Sequence, residues 1–280
     1  MKLGTGLLSA KQAHVAKAKR SSPAKAELRL RSDHVDEAFE ALVDRVGSLL
    51  GALGIFMIAG IVVAGFGAWV FSELAERVMS GGTQAFDETV LRWAASHHSP
   101  TLDAAMLEIT TLGNGTEVLM IVCVAALFLT LTKHKYSALL LVVATAGGLL
   151  LDMWLKHWFG RPRPHVFVWG AQAFGSSFPS GHAMSATIVY STVAYLAARL
   201  HSRRWARWLT MSLALLLIFL ICFSRVYLGV HYPSDVLAGV IVGLAWAAFC
   251  MATLEGIQRF AQRHSPELVK DEAPAPAAKS

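Results

Sequence analysis

Residues 49–71 read LLGALGIFMIAGIVVAGFGAWVF, and no charged side chain occurs between Arg45 and Glu73. A helix needs roughly 20 consecutive apolar residues to cross the hydrocarbon of a bilayer, so the stretch predicts a membrane-spanning helix over 49–71. The pattern recurs along the chain. A second span is expected from near Leu112 to Lys133, with Glu117 inside it. Further spans are expected over 136–155, 181–198, 208–223 and 233–254. Lipid offers the backbone no hydrogen bonds, which leaves helices that satisfy their own. The expected fold is an all-α integral membrane bundle of six transmembrane helices occupying residues 48–256. The composition agrees: 55% of residues are hydrophobic and 16% charged, with a mean hydropathy of +0.49, far from the balance of a soluble domain.

The flanks read differently. Residues 1–47 begin as a basic tail (Lys11, Lys17, Lys19, Arg20, Lys25, Arg29 and Arg31). They end in a stripe of Val35, Phe39, Leu42, Val43 and Val46 that predicts a short amphipathic helix at the membrane surface. The apolar run behind it is too late and too long for a cleavable signal. Residues 257–280, ending APAPAAKS, read as a disordered tail. The net charge of +6 raises nucleic acid as a partner. The basic residues, however, are scattered over tails and short turns, which argues for no nucleic acid and for an orientation signal instead. The N-terminal tail, Lys133 and Lys135, Arg199 to Arg207, and Arg259 with Arg263 all fall on one side, which predicts that both termini are cytoplasmic. Cys123, Cys222 and Cys250 lie inside apolar runs and read as buried small hydrophobes.

The opposite, outer face carries two loops whose polar residues need another account. The first runs from Lys156 through HWFGRP to Arg163 and Pro164, and on to Pro179, Ser180, Gly181 and His182. The second runs from Ser224 and Arg225 through VYLGV to His231, Tyr232, Pro233, Ser234 and Asp235. Two expected spans separate them, so they share a face of the membrane. Lys156, Arg163 and Arg225 are cations at the membrane edge, where charge is expensive and marks function; guanidinium groups suit phosphate oxygens. Ser180 and Gly181 precede a helix whose N-terminal N–H groups favour an anion. Asp235, four residues after His231, can orient that imidazole as a nucleophile. His182 is placed to protonate a leaving oxygen and then activate water.

These residues form the pattern K-x6-RP, PSGH, SR-x5-H-x3-D with every spacing satisfied, and the chain resembles the type 2 phosphatidic acid phosphatase family, which is related to the vanadium haloperoxidases. The resemblance extends from the first expected span to the last. It implies a metal-independent and cofactor-free hydrolysis through a phosphohistidine on His231. Lys156, Arg163, Ser180, Gly181 and Arg225 would bind phosphate, His182 would be the acid, and Asp235 the orienting group. It also implies a substrate with a phosphate or diphosphate head on a lipid tail that stays in the bilayer. Phosphatidate, phosphatidylglycerol phosphate, a lipid A phosphate and, first among them, undecaprenyl diphosphate are the natural candidates.

Blander readings stand beside these. Lys156 with Asp152 one turn earlier makes an ordinary helix pair, and His231 with Asp235 a structural cap. Arg161, His157 and His165 fall outside the pattern and read as rim or structural residues. Trp158, Phe159, Phe167, Trp169, Phe174 and Phe178 form either a lipid entrance or an aromatic belt. Glu117 and Asn114 are expected to satisfy each other or a neighbouring helix. A phosphotransferase would use the same site, and a transporter would place such charges nearer the midplane. The motifs read phosphate rather than tail, and leave oligomeric state open.

Overall fold

The computed structural model of the chain describes residues 54–264, apart from 169 and 172. The basic tail and surface helix expected over 1–47, and the polar tail past 264, lie outside the described residues. Those described form eight helices and no strand: α1 (Gly54–Met79), α2 (Gln84–Ala95), α3 (Pro100–Thr111), α4 (Gly115–Leu131), α5 (Lys135–Phe159), α6 (Gly181–Leu200), α7 (Arg204–Tyr227) and α8 (Pro233–His264).

Four of these, α1, α5, α7 and α8, are long and apolar enough to cross a membrane, and α3 with α4 passes as a fifth span broken by a bend of 51°. Helix α6 falls short of that composition for a physical reason. It packs on α4, α5, α7 and α8, and Thr187 and Thr192 are buried along it with Ala183, Met184, Ile188 and Val189. A helix wrapped by other helices needs no lipid-soluble face. Its 20 residues still reach about 30 Å at 1.5 Å per residue, the thickness of the hydrocarbon core. By length and composition the described helices supply four spans, or five with the bent pair, and α6 is a helix of spanning length packed among them. By contrast α1 exposes Ile55, Ile58, Val62, Phe66 and Trp69, a face suited to lipid.

Close approach between α6 and α8 sets the frame of the bundle end that carries the motif residues. Gly239 and Gly243 of α8 stand four residues apart over the start of α6. A Cβ on Gly239 would fall 2.5 Å from the Ser180 carbonyl oxygen, and one on Gly243 2.9 Å from the Cβ of Thr187. Small residues at this spacing let backbones pack directly. The Ser180 N–H donates to the Asp235 carbonyl at 3.0 Å, so the PSGH segment and the His-Tyr-Pro-Ser-Asp segment are joined through the backbone.

Four expectations need correction. Cys123 is exposed on α4 and not buried, whereas Cys222 and Cys250 are buried; between α1 and α3 the chain forms α2, which buries Asp87, Leu91 and Ala94. The second span does not run unbroken from Leu112. The chain bends there, and Gly113 sits in the bend with room for no side chain: a Cβ would fall 2.7 Å from Ile221 and 3.3 Å from the His182 ring. Asn114 and Glu117 do not satisfy each other. Asn114 is the extended residue before α4 with no side-chain capping bond, and Glu117 Oε2 is buried with no hydrogen-bond partner among the described residues; the carboxylate meets the positive end of α4 instead. Finally, α8 runs to His264, past the expected boundary at 257. Arg199 donates to Gln258 Oε1 at 2.6 Å, and Arg259 pairs with Glu255 at 3.0 Å, holding two further turns in place.

Candidate active site

Helix α5 ends at Gly160, whose φ of +58° is the left-handed conformation glycine adopts freely, and Pro162 and Pro164 cannot extend it. Lys156 is therefore held in the last turn. Its ammonium donates to Asp152 Oδ2 at 2.8 Å. The pair leans on Gly181, the first residue of α6, where a Cβ would fall 2.5 Å from the Lys156 Nζ. Glycine at 181 is what lets this cation reach the helix N-terminus.

Beyond the turn, Arg163 is held by the chain it faces. Its NH1 donates to the Val230 carbonyl at 2.8 Å and lies 3.2 Å from His231 Nε2, while NH2 donates to the Phe174 carbonyl at 2.8 Å. The other ring nitrogen of His231, Nδ1, lies 2.8 Å from the Ser177 carbonyl oxygen. A carbonyl only accepts, so Nδ1 carries the proton and Nε2 presents its lone pair toward Arg163. The carboxylate of Asp235 is 3.7 Å from Nδ1, an ion-pair separation and not a hydrogen bond. The bond expected between Asp235 and the imidazole thus goes to the Ser177 backbone, because both Asp235 oxygens are engaged elsewhere.

Those engagements centre on Arg161. Its NH1 donates to Asp235 Oδ1 at 2.6 Å and to Ser234 Oγ at 2.9 Å, and its NH2 donates to Asp87 Oδ2 at 3.1 Å. The guanidinium lies 4.0 Å from the centre of the Tyr232 ring. Asp235 Oδ2 accepts from the Tyr232 N–H at 2.9 Å, and Asp87 accepts from both the N–H and the hydroxyl of Ser234. Arg161 is 7% exposed and the two carboxylates are fully buried. A rim position for Arg161 is therefore wrong and the structural reading right.

The remaining cation, Arg225, is buried at the end of α7. Its NH1 donates to Thr110 Oγ1 at 2.7 Å, while its Nε has no hydrogen-bond partner among the described residues. The Ser180 hydroxyl is likewise buried and unpartnered among them. Buried polar atoms are nearly always satisfied, and these two donors stand where the motifs require a phosphate. His182, half-buried, follows Gly181 at the head of α6. Burial depresses His231 well below the usual histidine range, and the charges of Arg225, Arg163 and Lys156 push in the same direction, opposed by the Ser177 carbonyl. The imidazole is held neutral.

The aromatic residues divide between two surfaces. Trp158 and Phe159 line an apolar groove of about 370 Å³ with Phe71, Leu155 and Trp246, beside Lys156. Phe178 is fully buried and packs on Phe71 and Phe159. Phe167, Phe174 and His165 line an open depression, His157 is exposed, and Trp169 lies outside the described residues. Sequence reasoning missed Asp87, Thr110 and Ser177. Asp87 and Thr110 belong to no motif, and Ser177 acts through its backbone, which leaves no mark on residue type.

The chain as a whole is similar to known proteins. A model of the PAP2 superfamily matches residues 135–259. The chain is 31% identical over 194 residues to phosphatidylglycerophosphatase B of Bacillus subtilis, covering 69% of this chain and 95% of that one. It is 31% identical over 137 residues to an undecaprenyl-diphosphatase of Sulfolobus acidocaldarius, covering 47% and 62%. The crystal structure of a transmembrane PAP2 type phosphatidylglycerolphosphate phosphatase from Bacillus subtilis matches with a TM-score of 0.63 at 29% identity, covering 67% of this chain and 94% of that one. The chain belongs to the PAP2 superfamily. It is an integral membrane phosphatase.

The Arg161 centre yields a prediction about stability. Replacing Arg161 by Met leaves Asp87 and Asp235 buried without their cation, a loss of about 3–5 kcal/mol. Thermal unfolding in detergent should show a large drop in midpoint for Arg161→Met, and a smaller one for Arg161→Lys. A variant as stable as the parent would show that the centre does not hold the outer loops.

Proposed function

We propose that this phosphatase removes the terminal phosphate of a membrane lipid phosphate or diphosphate through a phosphohistidine on His231. The observation that carries the proposal is the His231 ring: Nδ1 is committed to the Ser177 carbonyl at 2.8 Å, and Nε2 lies 3.2 Å from the Arg163 guanidinium. A phosphate gripped by Arg163, Arg225 and Lys156, with the Ser180 hydroxyl and the α6 N-terminus, would stand in front of that lone pair. Nε2 attacks phosphorus as the bond to the leaving oxygen breaks, and His182 gives that oxygen its proton. The imidazolium that forms gains the Asp235 carboxylate 3.7 Å from Nδ1 as counter-charge. Water, deprotonated by His182, then displaces the histidine and releases inorganic phosphate. The three side-chain cations stabilise the developing charge, so the chemistry is assigned no metal.

The groove lined by Phe71, Leu155, Trp158 and Phe159 favours a lipid: it lies beside Lys156 and would receive a tail while the head is hydrolysed. Phosphatidylglycerol phosphate is the first candidate, since the relative named for it is covered over nearly its whole length; a polyprenyl diphosphate is the second. The phosphate site lies at the end of the bundle opposite Lys133, Lys135, Arg203, Arg204 and Arg207. The positive-inside tendency puts those residues in the cytoplasm and the site at the outer face.

Two measurements test these points. The purified chain should release phosphate from phosphatidylglycerol phosphate or undecaprenyl diphosphate in EDTA, with inhibition by vanadate and a loss of about 10⁴-fold or more in His231→Asn. Activity that disappears in EDTA and returns with magnesium would overturn the mechanism. In a cysteine-free background on intact cells, His165→Cys should react with an impermeant thiol reagent and Arg204→Cys should not; the reverse pattern would invert the orientation.

A further inference from the structure

One atom beside the phosphate site is of the wrong kind for an anion. Asp152 gives Oδ2 to the Lys156 ammonium, but its other oxygen, Oδ1, is buried with no hydrogen-bond partner among the described residues. Both oxygens flank Gly181: a Cβ there would fall 2.9 Å from Oδ2 and 3.1 Å from Oδ1, next to the 2.5 Å from Lys156 Nζ. The carboxylate thus reaches the same point of the α6 N-terminus as the ammonium. A carboxylate in an ion pair can only accept hydrogen bonds. Left unpaired in a buried place it is costly, and beside a fully deprotonated anion it adds repulsion between like charges. A donor O–H on the bound group removes both penalties at once.

We infer that Asp152 determines specificity by reading a proton on the bound phosphate. Oδ1 accepts a P–OH hydrogen bond, while Lys156, Arg163, Arg225 and Ser180 hold the oxygens that carry charge. The inference rests on the phosphate reading of the site given above. It makes the monoanion the productive form of a lipid phosphomonoester, and it explains an acid retained beside an anion site. It also separates two anions that Coulomb attraction does not. Sulfate and hydrogen phosphate are both tetrahedral dianions of nearly equal size at about pH 8, but only phosphate keeps a proton there. A site built to hydrogen-bond an O–H rejects the analogue lacking it by orders of magnitude, because its own buried group is left unpaired.

The test compares the two anions as inhibitors of lipid-phosphate hydrolysis by the full chain in detergent, at about pH 8 and matched ionic strength. Phosphate should compete, and sulfate should need a concentration at least ~100-fold higher. In Asp152→Asn the carboxamide can donate to sulfate, and the gap should close to within about tenfold. Sulfate competing as well as phosphate in the parent chain would overturn the inference. So would an Asp152→Asn variant that weakens both anions in parallel and keeps the gap, since Asp152 would then act only through Lys156. Because neither anion contains an alcohol, a preference for phosphate places the donor on phosphorus and not on a headgroup hydroxyl. Thermal stabilisation of the chain by each anion reads the same gap without turnover. A chain that hydrolysed no lipid phosphate would therefore defeat the functional reading and still report on Asp152, and the parent chain alone decides if the variant does not fold.

Discussion

Arg161 enters the protein interior with two carboxylates, and their mutual attraction organises the end of the bundle that carries the motif residues. Taking three charges out of water costs several kcal/mol each, and only close, fully hydrogen-bonded geometry offsets it. Here the guanidinium meets Asp235 at 2.6 Å and Asp87 at 3.1 Å, and lies over the Tyr232 ring. These residues come from α2, from the turn after α5 and from α8, so one buried group ties together three distant parts of the chain. The turn that holds Arg161 also carries Arg163, two residues on, and fixing the first delivers the second to His231. Arg161 takes one Asp235 oxygen and the Tyr232 N–H the other, which explains why the carboxylate stands near the imidazole without taking its proton.

The electrostatics of the site follow from that scaffold. Lys156, Arg163 and Arg225 approach one another around a histidine held neutral by burial and by their charge. In the reaction proposed above, a phosphate would supply the negative charge that the cluster lacks, with the cations already in place as charge develops. Asp152 and Asp235 temper the excess. One holds Lys156 against Gly181, and the other stands 3.7 Å from Nδ1 of His231.

How much of this was legible in the sequence depended on the kind of interaction. Membrane spans follow from apolar runs, and α1, α5, α7 and α8 lie where those runs predict them. Helix α6 was legible as a charge-free run over 181–198, although a helix wrapped by protein carries a weaker apolar signature than the others. The close packing of Gly113 was not legible, because its neighbours Ile221 and His182 come from other helices of the bundle. The motif residues were readable because they form a pattern of fixed spacings in the sequence. Asp87 in the unremarkable helix α2, Thr110 on Arg225 and the Ser177 carbonyl on His231 were not, because tertiary placement alone makes them partners. Asp152 was visible as the partner of Lys156, but its free oxygen appears only once Gly181 is packed against it.

The central claim is that Nε2 of His231 attacks phosphorus. The most direct measurement is to locate the covalent intermediate: the chain is mixed with a lipid phosphate, quenched rapidly in base, where phosphohistidine survives, and the phosphorylated peptide is sequenced by mass spectrometry. Phosphate on His231, lost on acid treatment, is the result the account predicts. Phosphate on His182 with His231 unmodified would contradict it and reverse the roles of the two histidines.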